Sequence, residues 1–439
     1  MTNSVCFEEG VVRDFCCNPA FEMHDYNKME GPNMDAYIPR ALEPVLRRAA
    51  AEFPAVVLTG PRQSGKTTLL KRAFADTHGY VSLEPPDVRS AAASDPRGFL
   101  DLHAPPVILD EVQYAPELLP YIKERIDARR SVRGQYLLTG SQNLMLMERL
   151  TESLAGRAAI LKLLPLSRRE MAGTPESPLA WESSEPVATR EHPTRSELWT
   201  SLLRGGYPEL SADPARDVGL WHSSYVQTYL ERDVRSVRQI GNLSVFQDFL
   251  RALAARSGQL VNVTELSRDL GTAANTVRAW LSVLEATYQV VVLRPYFANV
   301  GKRLVKTPKV YFTDTGTLCH LAGLRDAEHA ASGPMGGTIL ETAVLSEIMK
   351  TLLHRGEEPQ MWFWRTNYGA EVDVVVESVR RLVPIEVKLS ATPRPAMAKG
   401  ITSFRQALGD RTVHGYVVHT GTVRLPLGPD ATAIPFADL

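Results

Sequence analysis

Eight consecutive residues constrain this chain more than any others. Gly60-Pro61-Arg62-Gln63-Ser64-Gly65-Lys66-Thr67 is a complete G-x-x-x-x-G-K-[ST] pattern. The apolar run Ala55–Thr59 precedes it and Thr68-Leu69-Leu70-Lys71-Arg72-Ala73 follows, so a strand should run through a glycine loop into a helix. Gly60 and Gly65 let the backbone curl so that successive amides face the β- and γ-phosphates of a nucleotide. Lys66 adds a point charge there, and the Thr67 hydroxyl is placed to bind Mg²⁺. ATP and Mg²⁺ are therefore the expected cofactors, held by residues Gly60 to Thr68.

Short β-rich runs alternate with helical stretches over the next hundred residues: Ala55–Thr59, Tyr80–Leu83, Val107–Asp110, Tyr136–Thr139 and Ala158–Leu163. Such alternation predicts a parallel sheet covered on both faces. The third run ends in Asp110 and Glu111, two carboxylates at the tip of an apolar strand. Asp110 is expected in the magnesium shell, and Glu111 is placed to polarise the attacking water. The fourth run leads to Ser141 and Gln142, candidates for sensing the γ-phosphate. Arg157 is a candidate arginine finger, and a surface arginine at a helix end is the competing reading. An Arg157 acting in trans would demand a homo-oligomer.

The 439 residues are 44% apolar and 23% charged, an ordinary globular balance for several domains. Lys plus Arg (49) nearly cancels Asp plus Glu (50), so nucleic-acid binding needs a local patch. Four cysteines (Cys6, Cys16, Cys17 and Cys319) show no paired metal or redox spacing, and no apolar run has the length of a membrane span. A cytoplasmic protein without membrane partners is expected. Residues 1–35 carry seven acids against two bases and no periodicity, which predicts a disordered tail before an ATPase domain at 36–170. The Pro-, Ser- and Glu-rich stretch 171–197 reads as a flexible linker or insertion, and 198–250 as a helical region.

Residues 251–330 are expected to form a winged helix. Thr264–Leu270, Gly271 and Ala273–Ala286 give helix, turn and helix, and Val290–Pro295 and Val310–Phe312 are candidate wing strands. Between Arg251 and Phe312 nine bases face three acids. Arg278 on the second helix and Lys302, Arg303 and Lys306 in the wing loop are candidate phosphate contacts, with DNA favoured and binding largely sequence-nonspecific. A lid or packing module is the alternative for such a domain.

In 331–439 the order of elements looks like the PD-(D/E)xK nuclease core. Asp373 on one strand and Glu386 on the next can share a divalent metal, Lys388 lies two residues on along the same face, and Glu341 from a preceding helix could complete the shell. Charged residues on an edge strand are the alternative, and Glu371-Val372-Asp373 lacks the proline of the pattern's name.

Together the phosphate loop, LDEVQ (Leu109–Gln113), LLTGSQN (Leu137–Asn143), ESLAGR (Glu152–Arg157), RGGYPEL (Arg204–Leu210), TYLERDVR (Thr228–Arg235) and the C-terminal pattern resemble the bacterial and archaeal AAA-type ATPases that carry a C-terminal domain of unknown function, number 4143. The resemblance runs from Tyr37 onward. It implies an α/β chain: an AAA-type P-loop sheet of the additional-strand, catalytic-glutamate class, a helical linker with a winged helix, and a nuclease-like α/β domain. Two functions stay open: an ATP-driven machine that binds or processes nucleic acid, and a nucleotide-controlled signalling or toxin-type switch acting on a protein partner without nuclease activity.

Overall fold

The computed structural model describes residues 37–141, 153–183, 192–230, 243–296, 307–366 and 368–439. The expected acidic tail, 1–35, lies outside them. Helix α1 (Leu42–Glu52) leads into strand β1 (Ala55–Gly60), and α2 (Lys66–Phe74) leads to β2 (Gly79–Ser82). Strand β3 (Val107–Asp110), helix α3 (Leu118–Ala128), β4 (Tyr136–Ser141) and β5 (Ala158–Lys162) complete the unit. All five strands are parallel, in the order β2-β3-β4-β1-β5.

The sequence explains this arrangement locally. Every residue of β1 is buried, as expected of a strand covered on both faces. Val56 and Leu58 point into a core with Leu42, Leu46, Leu69 and Leu70. Val57 points the other way, toward Leu109, Leu119, Ile122 and Leu138. Because β4 lies between β1 and β3, the glycine loop and the acidic strand end are separated by one additional strand, as the family resemblance implied. In a parallel sheet all carboxyl ends fall on one edge, and ligands bind there.

The middle of the chain is mainly helical: α4 (Arg195–Arg204), α5 (Leu243–Ala255), α6 (Val263–Asp269) and α7 (Ala274–Ala286). Asn262 caps α6 by accepting from the Thr264 and Glu265 amides. Gly271, at φ +60°, makes the turn into α7. The antiparallel pair β6 (Val290–Leu293) and β7 (Lys309–Phe312) follows, then α8 (Thr315–Leu321), capped by Asp314. Phe246 and Phe249 of α5 each lie 5.3 Å from the Trp280 ring of α7, which closes this part of the core.

Helix α9 (Gly336–His354) begins the last segment and is buried along most of its length, as its apolar residues on every side require. Strands β8 (Met361–Arg365), β9 (Glu371–Ser378) and β10 (Arg381–Lys388) precede α10 (Lys399–Leu408) and β11 (Gly415–His419). Strands β12 (Leu425–Pro426) and β13 (Ala431–Pro435) finish a mixed sheet of order β12-β13-β11-β10-β9-β8. No helix among the described residues is long and apolar enough to cross a membrane.

The Pro-rich stretch expected as a flexible linker is anchored where it is described. Leu179 and Ala180 are buried in the main core, and Arg169 donates to the Ser177 and Pro178 carbonyls. Apolar burial and a buried guanidinium override the local turn-rich composition.

One buried group ties the segments together. Arg40 donates to the Ser64 carbonyl in the glycine loop at 2.7 Å, to the Leu164 carbonyl at 2.7 Å and to Glu170 Oε1 at 3.0 Å. Glu170 is fully buried, and its other oxygen lies 3.1 Å from His354 Nδ1 on α9. The Leu164 N–H donates to His354 Nε2 at 3.1 Å, so Nδ1 carries the ring proton and donates to Glu170. Burial would raise the Glu170 pKa, but His354, Arg40 and the Ser167 amide outweigh it and hold the carboxyl below its usual range. Burial lowers the His354 pKa, and a second ring proton would face the Leu164 N–H.

Both depressed values act in the same direction. Their stabilisation is complete above the unfolded values and is lost as pH falls, from about 6.5 downward for His354 and below about 4.5 for Glu170. Glu170→Gln leaves Arg40 buried without a counter-charge and is expected to cost about 3–5 kcal/mol in urea unfolding at pH 7. His354→Gln keeps a donor and an acceptor without a titrating ring, and should flatten the slope of stability against pH just below 6.5. A loss under about 1 kcal/mol in Glu170→Gln would show that the Arg40 charge does not depend on this partner.

Candidate functional site

The glycine loop takes the shape its residues allow. Gly60 has φ +150°, and a Cβ there would lie 2.0 Å from the Leu163 carbonyl oxygen; Gly65 has φ +93°. Lys66 is buried, with Nζ 3.1 Å from the Gly60 oxygen and 2.9 Å from that of Pro61. The Thr67 hydroxyl lies 2.9 and 3.0 Å from the two Asp110 oxygens. Thr139 also donates to Asp110, as does Tyr80 at 2.9 Å. Burial first, and then the Asp110 charge, raise the Tyr80 pKa, so the phenol stays a donor. Glu111 follows the strand at φ +59° and its amide donates to Thr139 Oγ1 at 2.9 Å, while Gln113 donates to its carboxylate. A hydroxyl and a carboxylate already in contact beside an amide-lined loop are hard oxygen donors of the kind Mg²⁺ takes, so the residues fit the ion.

The structure thus brings Gly60, Pro61, Arg62, Gln63, Ser64, Gly65, Lys66, Thr67, Thr68, Asp110 and Glu111 to one edge of the sheet. Ser141 ends β4 directly opposite Gly60 on that edge, and Gln142 lies outside the described residues. Arg157 is elsewhere. Its carbonyl accepts from the Ala55 amide at the start of β1, about 17 Å of strand away from the loop, and its guanidinium is held by Asp127 at 2.6 and 2.9 Å. The finger reading therefore fails within one subunit, because a parallel sheet puts the start of β5 at the wrong end. Sequence reasoning missed Arg40, Tyr80 and Thr139. Thr139 lies on β4 beside β3, but the neighbour order of strands is not written in any one of them.

The basic segment is less free than its composition. Arg256 pairs with Asp269 at 2.7 Å, Arg251 with Asp248 at 3.3 Å and Arg294 with Glu285 at 3.9 Å. Lys309 is buried against carboxylates, and Lys302, Arg303 and Lys306 lie outside the described residues. Arg268 on α6 and Arg278 on α7 remain exposed, the latter donating to Asn275 at 2.8 Å.

A second polar cluster forms where α9, β9, β10 and β7 meet. Asp373 Oδ2 accepts from the Val387 amide at 2.8 Å, which ties β9 to β10 beside Glu386 and Lys388. Glu386 and Lys388 share a strand face, with Lys388 Nζ 2.5 Å from Glu386 Oε1. Lys309 Nζ lies 3.1 Å from Glu341 Oε1 and 2.7 Å from Glu371 Oε1, and Tyr311 donates to Glu341. Burial, then Glu341 and Glu386, raise the Asp373 pKa well above the ordinary carboxylate range; burial likewise raises Glu386. Glu341, Asp373, Glu386 and Lys388 lie in one cluster, joined by Glu371, Lys309 and Tyr311. The expected shared metal does not fit this arrangement: among the described residues no three His, Cys, Asp or Glu side chains are spaced to hold one. Lys309 engages Glu341, Lys388 engages Glu386, and a backbone amide engages Asp373.

A raised folded pKa means that Asp373 destabilises the fold as pH rises from its unfolded value through its folded one. Asp373→Asn should accordingly raise the thermal midpoint at pH 8, with the gain shrinking toward pH 4. A lower midpoint at pH 8 would contradict the charge-crowding account.

Comparison with known proteins agrees with this layout. Residues 52–172 match the family described as AAA domain, 195–328 a domain of unknown function (DUF8612) and 336–439 a domain of unknown function (DUF4143). Uncharacterized proteins of Mycobacterium bovis and Mycobacterium tuberculosis are each 31% identical over 392 residues, covering 89% of this chain and 82% of theirs. Among solved structures, a Walker-type ATPase of Pyrococcus abyssi covers 66% of this chain and 97% of its own at 15% identity, with a TM-score of 0.45, too distant to carry an argument. The chain belongs to the family of proteins that join an AAA-type P-loop ATPase domain to the C-terminal domain of unknown function 4143.

Proposed function

We propose that the protein hydrolyses ATP with Mg²⁺ and couples the turnover to nucleic-acid binding. The observation that carries the first half is the convergence of Thr67 and Asp110 at the glycine loop, with Glu111 held one residue beyond the strand end. Amides of the loop receive the phosphates, and Lys66 turns from the Gly60 and Pro61 carbonyls toward the β- and γ-oxygens. Thr67 and Asp110 would hold the metal, which would neutralise charge on the transferred phosphoryl group. Glu111, fixed by Thr139 and Gln113, orients the attacking water and accepts its proton. Arg157 acts only from a neighbouring copy, which makes a homo-oligomer part of this reading.

The second half rests on α6, Gly271, α7 and the β6–β7 pair, whose order is that of a winged helix, with Arg268 and Arg278 exposed and Lys302, Arg303 and Lys306 between the strands. Phosphate contacts of this kind bind DNA with little sequence preference and weaken steeply with salt. The clustered Glu341, Asp373, Glu386 and Lys388 support a nuclease-like fold. A switch acting on a protein partner is the second reading, favoured by the four bases that are spent on internal ion pairs.

Lys66→Ala is expected to lose ATP binding, measured with a fluorescent nucleotide. Glu111→Gln should keep binding while turnover falls about 10²-fold or more. Adding duplex DNA should raise wild-type turnover, less so in Arg278→Ala and at high salt; turnover indifferent to DNA and RNA at low salt would favour the protein switch. Incubation of labelled DNA and RNA with Mg²⁺ or Mn²⁺ tests cleavage, with Asp373→Ala as the control that must lose it.

A further inference from the structure

We propose that Lys309 is a built-in cation that closes the C-terminal carboxylate cluster to divalent metal, and that the cluster becomes a metal site only when strand β7 withdraws. Four carboxylates, Glu341, Glu371, Asp373 and Glu386, face the ammonium groups of Lys309 and Lys388 and the Arg365 guanidinium, 3.8 Å from Glu371 Oε2, so the cluster keeps an excess of one acid. Lys309 Nζ sits between Glu341 and Glu371, at 3.1 and 2.7 Å, with its side chain 6% exposed. That is where an ion drawing oxygens from α9 and β9 would sit. Lys388 is different: it stands on the same strand as Glu386 and engages that one carboxylate.

A second observation points to a ligand. Glu386 is 7% exposed, and its Oε2 has no hydrogen-bond partner among the described residues. It faces Gly400 beside the main chain of Glu371, where a Cβ on Gly400 would lie 3.2 Å from it and 2.1 Å from the Glu371 carbonyl. A buried carboxylate oxygen left unpaired costs free energy that a coordinated cation would recover. Carboxylates alone, without sulfur or imidazole, suit a hard ion of the Mg²⁺ or Mn²⁺ type.

Lys309 does not belong to the segment that carries the carboxylates. It stands at the start of β7, which pairs with β6 and is anchored on its other side by the Val261 amide donating to the Pro308 carbonyl at 2.9 Å and the Gly258 amide to the Val310 carbonyl at 2.8 Å. Tyr311, on the same strand face, donates to Glu341. The helical middle segment therefore sets where the plug lies, and a partner that shifts β6 and β7 would move Lys309 and Tyr311 together. What a metal would do in the opened cluster rests on the nuclease-like reading; whether Lys309 keeps it out does not.

Mn²⁺ binding to the nucleotide-free, full-length protein, followed by the electron paramagnetic resonance of the free ion, tests the idea. Lys309→Met should bind Mn²⁺ at least tenfold more tightly than wild type, and Lys309→Met/Asp373→Asn should lose the gain. Equal affinity in wild type and Lys309→Met, or a gain that survives in the double variant, overturns it. Should Lys309→Met fail to fold, amine acylation of the wild type read by mass spectrometry decides: Lys309 should be protected without metal and reactive at millimolar Mn²⁺, and protection unchanged by Mn²⁺ overturns the proposal. Tighter Mn²⁺ binding by Lys309→Met without any cleavage of DNA or RNA supports the plug while sinking the nuclease reading. Cleavage by wild type with no Mn²⁺ gain in Lys309→Met does the reverse.

Discussion

The Arg40 guanidinium is the constraint on which the arrangement of segments depends. Its three bonds reach the carbonyl before Gly65, the carbonyl just past β5, and Glu170 at the end of the ATPase segment. Glu170 in turn reaches His354 at the last residue of α9. One planar group thus fixes the back of the phosphate loop to a helix of another segment. Thirteen residues before His354 on that helix stands Glu341, about 20 Å away by helical rise, in the carboxylate cluster. The two candidate sites are therefore built on the two ends of a single buried rod.

What the sequence made legible was whatever its chemistry writes in consecutive residues. Gly60 to Thr67 announces itself because a phosphate loop needs its glycines and lysine at fixed spacing, and Asp110-Glu111 because an apolar strand seldom ends in two acids. The strand and helix of the last segment were legible for a similar reason, since Glu386 and Lys388 share a face through the period of two. Thr139 and Tyr80 were not, because each reaches Asp110 across the sheet, and which strand neighbours which depends on tertiary packing. The stretch 177–182 misled for the opposite reason: prolines and serines signal a loop, and nothing local says that Leu179 and Ala180 close the core.

Lys309 shows where charge counting along a chain stops working. As one of nine bases between Arg251 and Phe312 it adds to an apparent cationic surface, yet it is buried and points at acids from a different segment. Arg251, Arg256 and Arg294 differ from it: they pair with nearby acids at the surface and still face solvent. A net charge describes a field only if the charges face solvent, and among the described bases of this segment Lys309 does not.

Buried ionic groups occur at both ends of α9, and their balance separates them. Arg40 with Glu170 and Arg169 with Glu347 are matched one to one, and the carboxylates also accept backbone amides from Ser167 and Arg168. Such pairs recover most of their desolvation cost and specify one packing of the segments. Around Glu341 the count does not match. Four carboxylates face three cationic groups, Lys309, Lys388 and Arg365, Asp373 and Glu386 are pushed toward their protonated forms, and one Glu386 oxygen has no partner among the described residues. Structural economy alone would replace so costly a group with an apolar side chain. Crowded, incompletely satisfied clusters of this kind are where perturbed carboxylates gather at functional sites, which marks this one as a candidate rather than a packing device.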